Sequence, residues 1–307
     1  MKKKTILLFL IVVLLLPVTL SQAQAQAQDS SRIWDADSLA FVNGRWESRL
    51  LHFGGITLRQ CAFRDSSLFH SNQFVSALVI RNSFRFDILA DTTLVLTSDF
   101  VEYAQALAGI NGSFFAWDAP WKSVNYLRVD GNELAPNRVP QDGNRTFRQS
   151  GCIAVSDKGR LSIHALPQHV MDTYDQDRWE KELTAEDVLS SGPVLRTAGK
   201  DVPVIDNAFN NARHPRTAVG IRRGGRVLMV VVDGRAAEAA GMTMEELQRI
   251  MRWLRAWDAI NLDGGGSSAL CVRENLRKPV EVVNHPSDNK RFDNEGERRV
   301  ANALVVK

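Results

Sequence analysis

The sequence has few cysteines and contains no cysteine or histidine motif of a metal or redox site. Its three cysteines, Cys61, Cys152 and Cys271, lie far apart, and no Cys-x-x-Cys pair or His/Cys cluster occurs. Zinc sites and thiol redox centres depend on such short spacings, so neither is expected. An oxidising compartment would permit one disulfide and leave one thiol. Three buried, unpaired cysteines are the alternative, and the sequence does not decide between them.

A long apolar run occurs only once, at the start of the chain. Lysines at positions 2–4 precede an apolar run over 6–16, and Ala25-Gln26-Ala27 follows. This order is typical of a secretory signal peptide, so we predict that residues 1–27 are cleaved after export. An uncleaved anchor is the alternative, but the run is short for a membrane span. The mature protein is therefore expected in the periplasm or secreted, with no stable membrane span.

The mature chain would also lack net charge. Removing three lysines from the 38 basic residues leaves 35, which equals the 35 acidic residues. The formal charge of +3 therefore belongs to the signal peptide and does not indicate nucleic-acid binding. The remaining chain is long enough for one large core. We predict an N-terminal extension of unknown role over 28–73 and one domain over 74–307; the oligomeric state is not predictable.

Apolar runs that alternate with glycine turns predict mostly β structure. Residues 127–129 and 133–134, for example, flank Asp130-Gly131, a strong hairpin signal. A short helix is predicted over 180–189. The hairpin of 217–221 with 226–232 is expected to be antiparallel because only four residues join the two strands.

A second predicted helix lies between two apolar strands. It spans 244–257, and Thr243 with Glu246 forms a capping box at its start. The strands over 226–232 and 259–262 flank it, which predicts a βαβ crossover between parallel neighbours. We therefore expect an α+β fold with a mixed β-sheet core, a few helices and one βαβ unit near the C-terminus.

Two aspartates occupy equivalent positions in this predicted unit. Asp233 and Asp263 each follow a buried strand, and parallel neighbours end at the same sheet edge, so both should face one crevice. Residues 264–268 are three glycines and two serines, which could direct backbone N–H groups at an anion. A plain turn is the alternative, but such a turn rarely needs this composition after a buried strand.

Further polar residues stand beside predicted strands. Asn111 follows an apolar run, Arg216 precedes the strand over 217–221, Arg235 lies just after Asp233, and Glu297 precedes the last strand. Arginines near paired carboxylates suit a phosphate ester, because guanidinium can donate two parallel hydrogen bonds to phosphate. For each arginine alone, a surface position or a local ion pair is the simpler interpretation.

Several of these segments are motifs in a fixed order. They are residues 110–115, 191–195, 213–220 with its Pro-Arg-Thr triplet, 232–235, 241–247, 261–268, 283–288 and 296–302. Together they resemble the phosphodiester glycosidase family, and the C-terminal ones resemble its bacterial branch. The resemblance covers the chain from about residue 74 to its end.

The resemblance implies hydrolysis of a sugar-1-phosphodiester in a sugar-phosphate or glycan substrate. Animal members of the family remove N-acetylglucosamine from the phosphodiester that covers mannose 6-phosphate. For bacterial members, exopolysaccharide or cell-envelope glycan is the usual inference. No cofactor is expected, although the aspartates could hold a structural divalent cation.

Charge and motif position together suggest roles for individual residues. The phosphate leaves as an anion, so stabilising it matters more than protonating it. Asp263 and Asp233 are candidates for nucleophile or base, with Glu297 as a third. Arg216 and Arg235 would bind the phosphate. The other predicted substrate-binding residues are Asn111, Thr217, Gly264, Gly265, Ser267, Ser268 and Asn284. His285, which precedes a proline, is interpreted as a turn residue.

Two other functions remain open. A metal-dependent phosphodiesterase could use several of the aspartates, although no recognisable metal-ligand spacing occurs. A non-catalytic glycan-binding module could keep an aromatic surface without the carboxylates. The sequence names neither the sugar nor its aglycone, and it gives no distance between the carboxylates.

Overall fold

The computed structural model describes residues 35–140, 144–167, 170 and 177–307. The predicted signal peptide and the first residues of the extension lie outside this part of the chain. Within the described residues, no helix is both long and apolar enough to cross a membrane.

The described chain consists mainly of short strands. They are β1 (Glu47–Leu51), β2 (Ile56–Leu68), β3 (Ser71–Ile80), β4 (Phe86–Val95), β5 (Ala108–Asn111), β6 (Leu127–Val129), β7 (Asn132–Ala135), β8 (Gly151–Val155), β9 (Leu161–Ala165), β10 (Asp187–Ser191), β11 (Val194–Thr197), β12 (Lys200–Asp201), β13 (Arg216–Arg222), β14 (Val227–Val232), β15 (Ala256–Asn261), β16 (Leu270–Val272), β17 (Glu281–Val282) and β18 (Val300–Val306). The helices are α1 (Ala36–Val42), α2 (Thr97–Tyr103), α3 (Arg178–Glu182), α4 (Ala208–Asn211) and α5 (Met244–Trp253).

Three sheets form the framework. The largest has the order β1-β2-β3-β14-β13-β15-β11-β12, and two five-stranded sheets have the orders β7-β6-β10-β8-β9 and β17-β16-β5-β18-β4. The main apolar core contains side chains from all three sheets. A second core lies between the large sheet and the helices α1 and α5. The predicted α+β class is confirmed.

The predicted parallel pairing of the strands around α5 is wrong. β14 pairs with β3 on one side and with β13 on the other, and both pairings are antiparallel. No edge of β14 is left for β15, which pairs with β13 instead. The expected mixed sheet with adjacent parallel strands is therefore not formed here. Because β14 and β15 are both antiparallel to β13, they still run in the same direction and end at the same sheet edge.

The capping box of α5 is confirmed. Thr243 Oγ1 accepts a hydrogen bond from the Glu246 N–H (3.1 Å), and Glu246 Oε2 accepts one from the Thr243 N–H (2.9 Å). The helix ends at Trp253, earlier than predicted, because β15 begins at Ala256.

The helix predicted over 180–189 is largely wrong. Only α3 is helical, and Asp187–Ser191 forms β10, all five residues of which are buried. This strand lies between β6 and β8 in a five-stranded sheet. Pairing on both sides has overridden a weak local helix preference.

Part of the predicted N-terminal extension belongs to the large sheet. β2 pairs with β3 from Ile56↔Ile80 onward, and β1 pairs with β2 at the sheet edge. The three cysteines are free and buried on different elements: Cys61 on β2, Cys152 on β8 and Cys271 on β16.

Candidate active site

A cavity of about 250 Å³ lies at the sheet edge where β15 ends and β13 begins. Its lining consists of Phe209, His214, Arg216, Arg235, Asp263, Gly264, Gly265, Gly266 and Arg298. Of the predicted site residues, the structure thus brings together Asp263, two arginines and two glycines. Asp233 and Glu297 are not in this lining.

Asp263 is the carboxylate of the cavity. Its side chain accepts a hydrogen bond from the Gly264 N–H (2.9 Å), and its carbonyl accepts one from Asn111 Nδ2 (2.7 Å). Burial raises the pKa of Asp263 to about 6, and the Ser267 side chain, the Gly264 N–H and then the charges of Arg298 and Arg148 limit the rise. A carboxylate with such a pKa is ionised near neutral pH but accepts a proton readily, as a general base must.

Asp233 is buried and faces another segment. Its Oδ1 accepts from Asn284 Nδ2 (3.0 Å), and its Oδ2 accepts from the His285 backbone N–H (3.0 Å) and lies 2.8 Å from His285 Nδ1. Burial raises the pKa of Asp233, and the hydrogen bonds from His285 and Asn284 oppose that rise. The His285 ring stacks on Phe292 with the centroids 3.8 Å apart. His285 is therefore more than a turn residue, because it anchors this segment to Asp233.

A buried polar network connects the two aspartates. Thr217 Oγ1 donates to Asn111 Oδ1 (2.9 Å) and lies 3.1 Å from Ser268 Oγ. Asn284 Nδ2 also donates to the Ser268 carbonyl (3.1 Å). These four predicted substrate-binding side chains are fully buried and bind one another. Their geometry favours holding the Asp263 turn over contacting a substrate.

Arg216 lines the cavity but uses most of its donors on the protein. Its Nε donates to the Met242 carbonyl (2.8 Å), and its Nη2 donates to the carbonyls of Phe209 and Ala212 (both 2.7 Å). The guanidinium also lies over the Phe209 ring, 4.7 Å from its centroid. Burial lowers the pKa of Arg216 to about 10. Arg216 therefore fixes α4 and its aromatic ring beside the cavity.

Arg235 and Arg298 approach the glycines of the turn. A Cβ at Gly265 would lie 2.9 Å from Arg235 Nη2, and one at Gly266 would lie 2.5 Å from Arg298 Nη2. Gly265 also has a φ of +62°, so glycine is required for both backbone conformation and close approach. Arg298 pairs with Asp288. In the described part of the chain, no side chain or carbonyl accepts a hydrogen bond from the Arg235 guanidinium.

The backbone N–H groups of the turn donate to the protein itself, whereas the sequence predicted that they would face an anion. The Gly264 N–H donates to Asp263, the Gly265 N–H to the Pro215 carbonyl (2.8 Å) and the Ser267 N–H to the Gly264 carbonyl (3.2 Å). Their acceptors lie within the turn and at Pro215, the residue before β13. These three N–H groups are therefore already used within the protein, and the cationic groups of the cavity lining are arginine side chains.

Glu297 lies away from the cavity. Its two carboxylate oxygens accept from the N–H (3.0 Å) and the hydroxyl (2.5 Å) of Ser98, in the first turn of α2. The Cys271 thiol lies 3.8 Å from it, and burial raises the pKa of Glu297. This position suits a helix cap and does not bring Glu297 to Asp263.

The sequence-based assignment did not include four residues of the lining, which are Phe209, His214, Gly266 and Arg298, nor Arg148 beside it. Arg148 lies 5.1 Å from the centroid of Phe209, whose ring also approaches His214 at 6.4 Å. Arg148 and Phe209 lie outside the recognised motifs, so only their place in the folded chain reveals them. Among the described residues, no group of three or more His, Cys, Asp or Glu side chains could hold a metal ion.

Comparisons with known proteins agree with the motifs. The profile of the family described as "Phosphodiester glycosidase" matches residues 104–307. The N-acetylglucosamine-1-phosphodiester alpha-N-acetylglucosaminidase of Mus musculus is 35% identical over 81 residues, 26% of this chain and 14% of that protein. The SPbeta prophage-derived uncharacterized protein YomE of Bacillus subtilis is 30% identical over 90 residues, again 26% and 14%. The chain thus matches only a small part of each relative.

A solved structure has a similar fold. The catalytic domain of zebrafish N-acetylglucosamine-1-phosphodiester alpha-N-acetylglucosaminidase, auto-inhibited by its pro-peptide, superposes with a TM-score of 0.59. The superposition covers 85% of this chain and 87% of that domain at 16% identity. At this identity the likeness concerns the fold alone.

Proposed function

Because this chain belongs to the phosphodiester glycosidase family, we propose that it hydrolyses the bond between the anomeric carbon of a sugar and a phosphodiester oxygen. The sugar is N-acetylglucosamine or a close relative, and the substrate is an exported or cell-envelope glycan. The observation that carries this proposal is Asp263 in a small cavity lined by three arginines.

The cavity suits this reaction because charge leaves with the phosphate. Breaking the glycosidic bond produces a phosphomonoester anion and an oxocarbenium-like sugar in the transition state. Guanidinium groups stabilise the departing phosphate, and the Asp263 carboxylate stabilises the sugar cation. Asp263 then acts as nucleophile or as the base that activates water, for which a pKa of about 6 is well placed.

The choice of sugar rests on the names of relatives, and the choice of compartment rests on the N-terminal sequence. The mouse relative and a bovine one carry the same name, and the bovine match is 35% identical over 83 residues. The apolar run and Ala-x-Ala site at the N-terminus support export.

The test is a product analysis with a synthetic N-acetylglucosamine-1-phosphodiester and the chain from residue 28 onward. We expect free sugar plus a phosphomonoester, with the label from H₂¹⁸O on the sugar. Label on the phosphate and release of sugar-1-phosphate would identify a phosphodiesterase instead. Binding without turnover would support a glycan-binding module.

Two variants complete this test. Asp263→Asn should lower kcat at least about 100-fold, which is the lower end of what positioned acid–base groups contribute. Asp157→Asn is the matched control, because Asp157 is an exposed residue of the β8–β9 turn. Full activity of the Asp263 variant would refute the assignment.

A further inference from the structure

The arginines of the active site differ in how many of their donors are already used. Arg216 donates to three carbonyls, and Arg298 pairs with Asp288. Arg148 and Arg235 have no hydrogen-bond or ion-pair partner for their guanidinium groups in the described part of the chain. The largest number of donors still available to an anion therefore lies with these two.

Arg148 is held by aromatic rings. Its guanidinium carbon lies 4.9 Å from the ring centroid of Phe114, 5.6 Å from that of Phe147 and 5.1 Å from that of Phe209. Ring faces attract a guanidinium electrostatically but leave its in-plane N–H groups free. Nε of Arg148 is buried without a hydrogen-bond partner. A buried donor without an acceptor is costly, which favours a site where a ligand supplies the acceptor.

The backbone that carries Arg148 is fixed. Phe147–Gln149 forms a single turn whose start is capped by Thr146 and Gln149 in a reciprocal capping box. The Arg148 carbonyl accepts from Asn125 Nδ2 (2.9 Å). Backbone and side chain are thus both restrained before any ligand binds, so little order would be lost on binding.

This turn lies beside the reaction centre. Phe209, on which Arg148 stacks, lines the cavity together with Asp263 and Arg235. The charge of Arg148 also acts on Asp263, since it holds down the pKa of that carboxyl. Arg148 itself is not in the cavity lining, but it lies one ring away from it, on the Phe209 side chain that forms part of that lining.

We propose that Arg148 and Arg235 are the two residues that bind the substrate phosphate, and that Arg216 is a positioning residue that holds Phe209 in place. This proposal rests on the proposed function and corrects the sequence-based assignment of the phosphate to Arg216 and Arg235. The phosphodiester has two non-bridging oxygens, and each arginine can donate to them. The contacts strengthen as the glycosidic bond breaks, because the departing phosphate gains charge.

The first experiment measures phosphate binding by calorimetry, using inorganic phosphate and the chain from residue 28 onward. We expect the wild type to bind phosphate, Arg148→Met to weaken its affinity at least tenfold, and Arg235→Met to do likewise. Arg277→Met, on an exposed loop, is the matched control and should bind as the wild type does. Unchanged phosphate affinity in Arg148→Met, or no binding by the wild type, would overturn the proposal.

A second variant separates binding from folding. Arg148→Lys keeps the charge but loses the planar group that stacks on three rings, so phosphate affinity should again fall while the melting temperature is retained. If Arg148→Lys binds phosphate as tightly as the wild type, the planar guanidinium is not required and the proposal fails.

Turnover distinguishes this proposal from the proposed function. On a phosphodiester substrate, Arg148→Met should lower kcat/KM at least 100-fold, but on the uncharged p-nitrophenyl glycoside of the same sugar by less than threefold. An equal loss on both substrates would contradict a phosphate contact. If the wild type cleaves neither substrate but its phosphate binding still depends on Arg148, the proposed function fails and the phosphate site stands.

Discussion

Replacing Asp263 with asparagine should make the protein more stable at neutral pH while greatly lowering its activity. Burial raises the pKa of this carboxyl from its ordinary 3.8 to about 6. At about 1.4 kcal/mol for each pH unit between the two values, ionised Asp263 destabilises the folded state by about 3 kcal/mol. Asparagine has no charge to bury, and its side-chain oxygen can still accept from the Gly264 N–H.

The direction of the Asp263 pKa shift determines the pH range over which the free energy of unfolding changes. Between pH 3.8 and about 6 the folded protein holds a proton on Asp263 that the unfolded chain has lost. The free energy of unfolding therefore falls as pH rises through this range. Below it both states are protonated and the carboxyl contributes nothing. Above it the full destabilisation is present, so the advantage of the variant should be greatest at pH 7 and small at pH 4.

Urea unfolding of both proteins at intervals from pH 4 to pH 8 measures this difference, provided that unfolding is reversible. Asp157→Asn, with its exposed carboxylate, should track the wild type throughout. A difference between Asp263→Asn and the wild type that is the same at pH 4 and pH 7 would show that the carboxyl is not destabilised by burial. A variant less stable than the wild type at pH 7 would refute the reasoning directly.

Three other variants test the remaining contacts. Asp233→Asn should lower the free energy of unfolding by about 1–3 kcal/mol for each hydrogen bond left unmade to His285 and Asn284; an unchanged urea midpoint would show that these contacts contribute little. Arg216→Met removes three hydrogen bonds, two of them to the Phe209 and Ala212 carbonyls, and should cost about 3 kcal/mol or more, so loss of activity with full stability would point to a direct substrate role. Gly265→Ala should cost about 1–2 kcal/mol because of its positive φ, and should raise KM by displacing Arg235; wild-type kinetics would argue against that contact.

Local sequence signals predicted the parts of the site that lie on one continuous segment. The buried run before Asp263 and the glycines after it placed a carboxylate at a strand end. The strands on either side of α5 run in the same direction, as predicted, because helix length and burial constrain strand direction. They are not neighbours in the sheet, because adjacency depends on which strand edges are already paired with other strands. The occupied edge here was that of β14, which β3 covers.

The parts that depend on distant segments could not be predicted. Asp233 looked equivalent to Asp263 in the sequence, but residues about fifty positions later bring His285 and Asn284 onto its carboxylate. Arg148 belongs to a turn next to a different sheet, and its aromatic neighbours come from three separate segments. A single sequence carries no signal for such encounters, since each requires the final packing of sheets.

The position of β13 between β14 and β15 has a consequence for which glycosides can react. Neighbouring strands lie about 4.8 Å apart, so the strands that end at Asp233 and Asp263 are separated by about 9.6 Å, and the Asp233 carboxylate is held by Asn284 and His285. Among the residues that the structure describes, Asp263 is the one carboxylate in the cavity lining. Without a partner acid, reactivity should depend on the acidity of the departing alcohol. Phosphate and nitrophenol would leave readily, whereas ordinary alkyl glycosides of the same sugar would survive. Under the proposed function, sheet topology would thus protect ordinary glycosides from hydrolysis.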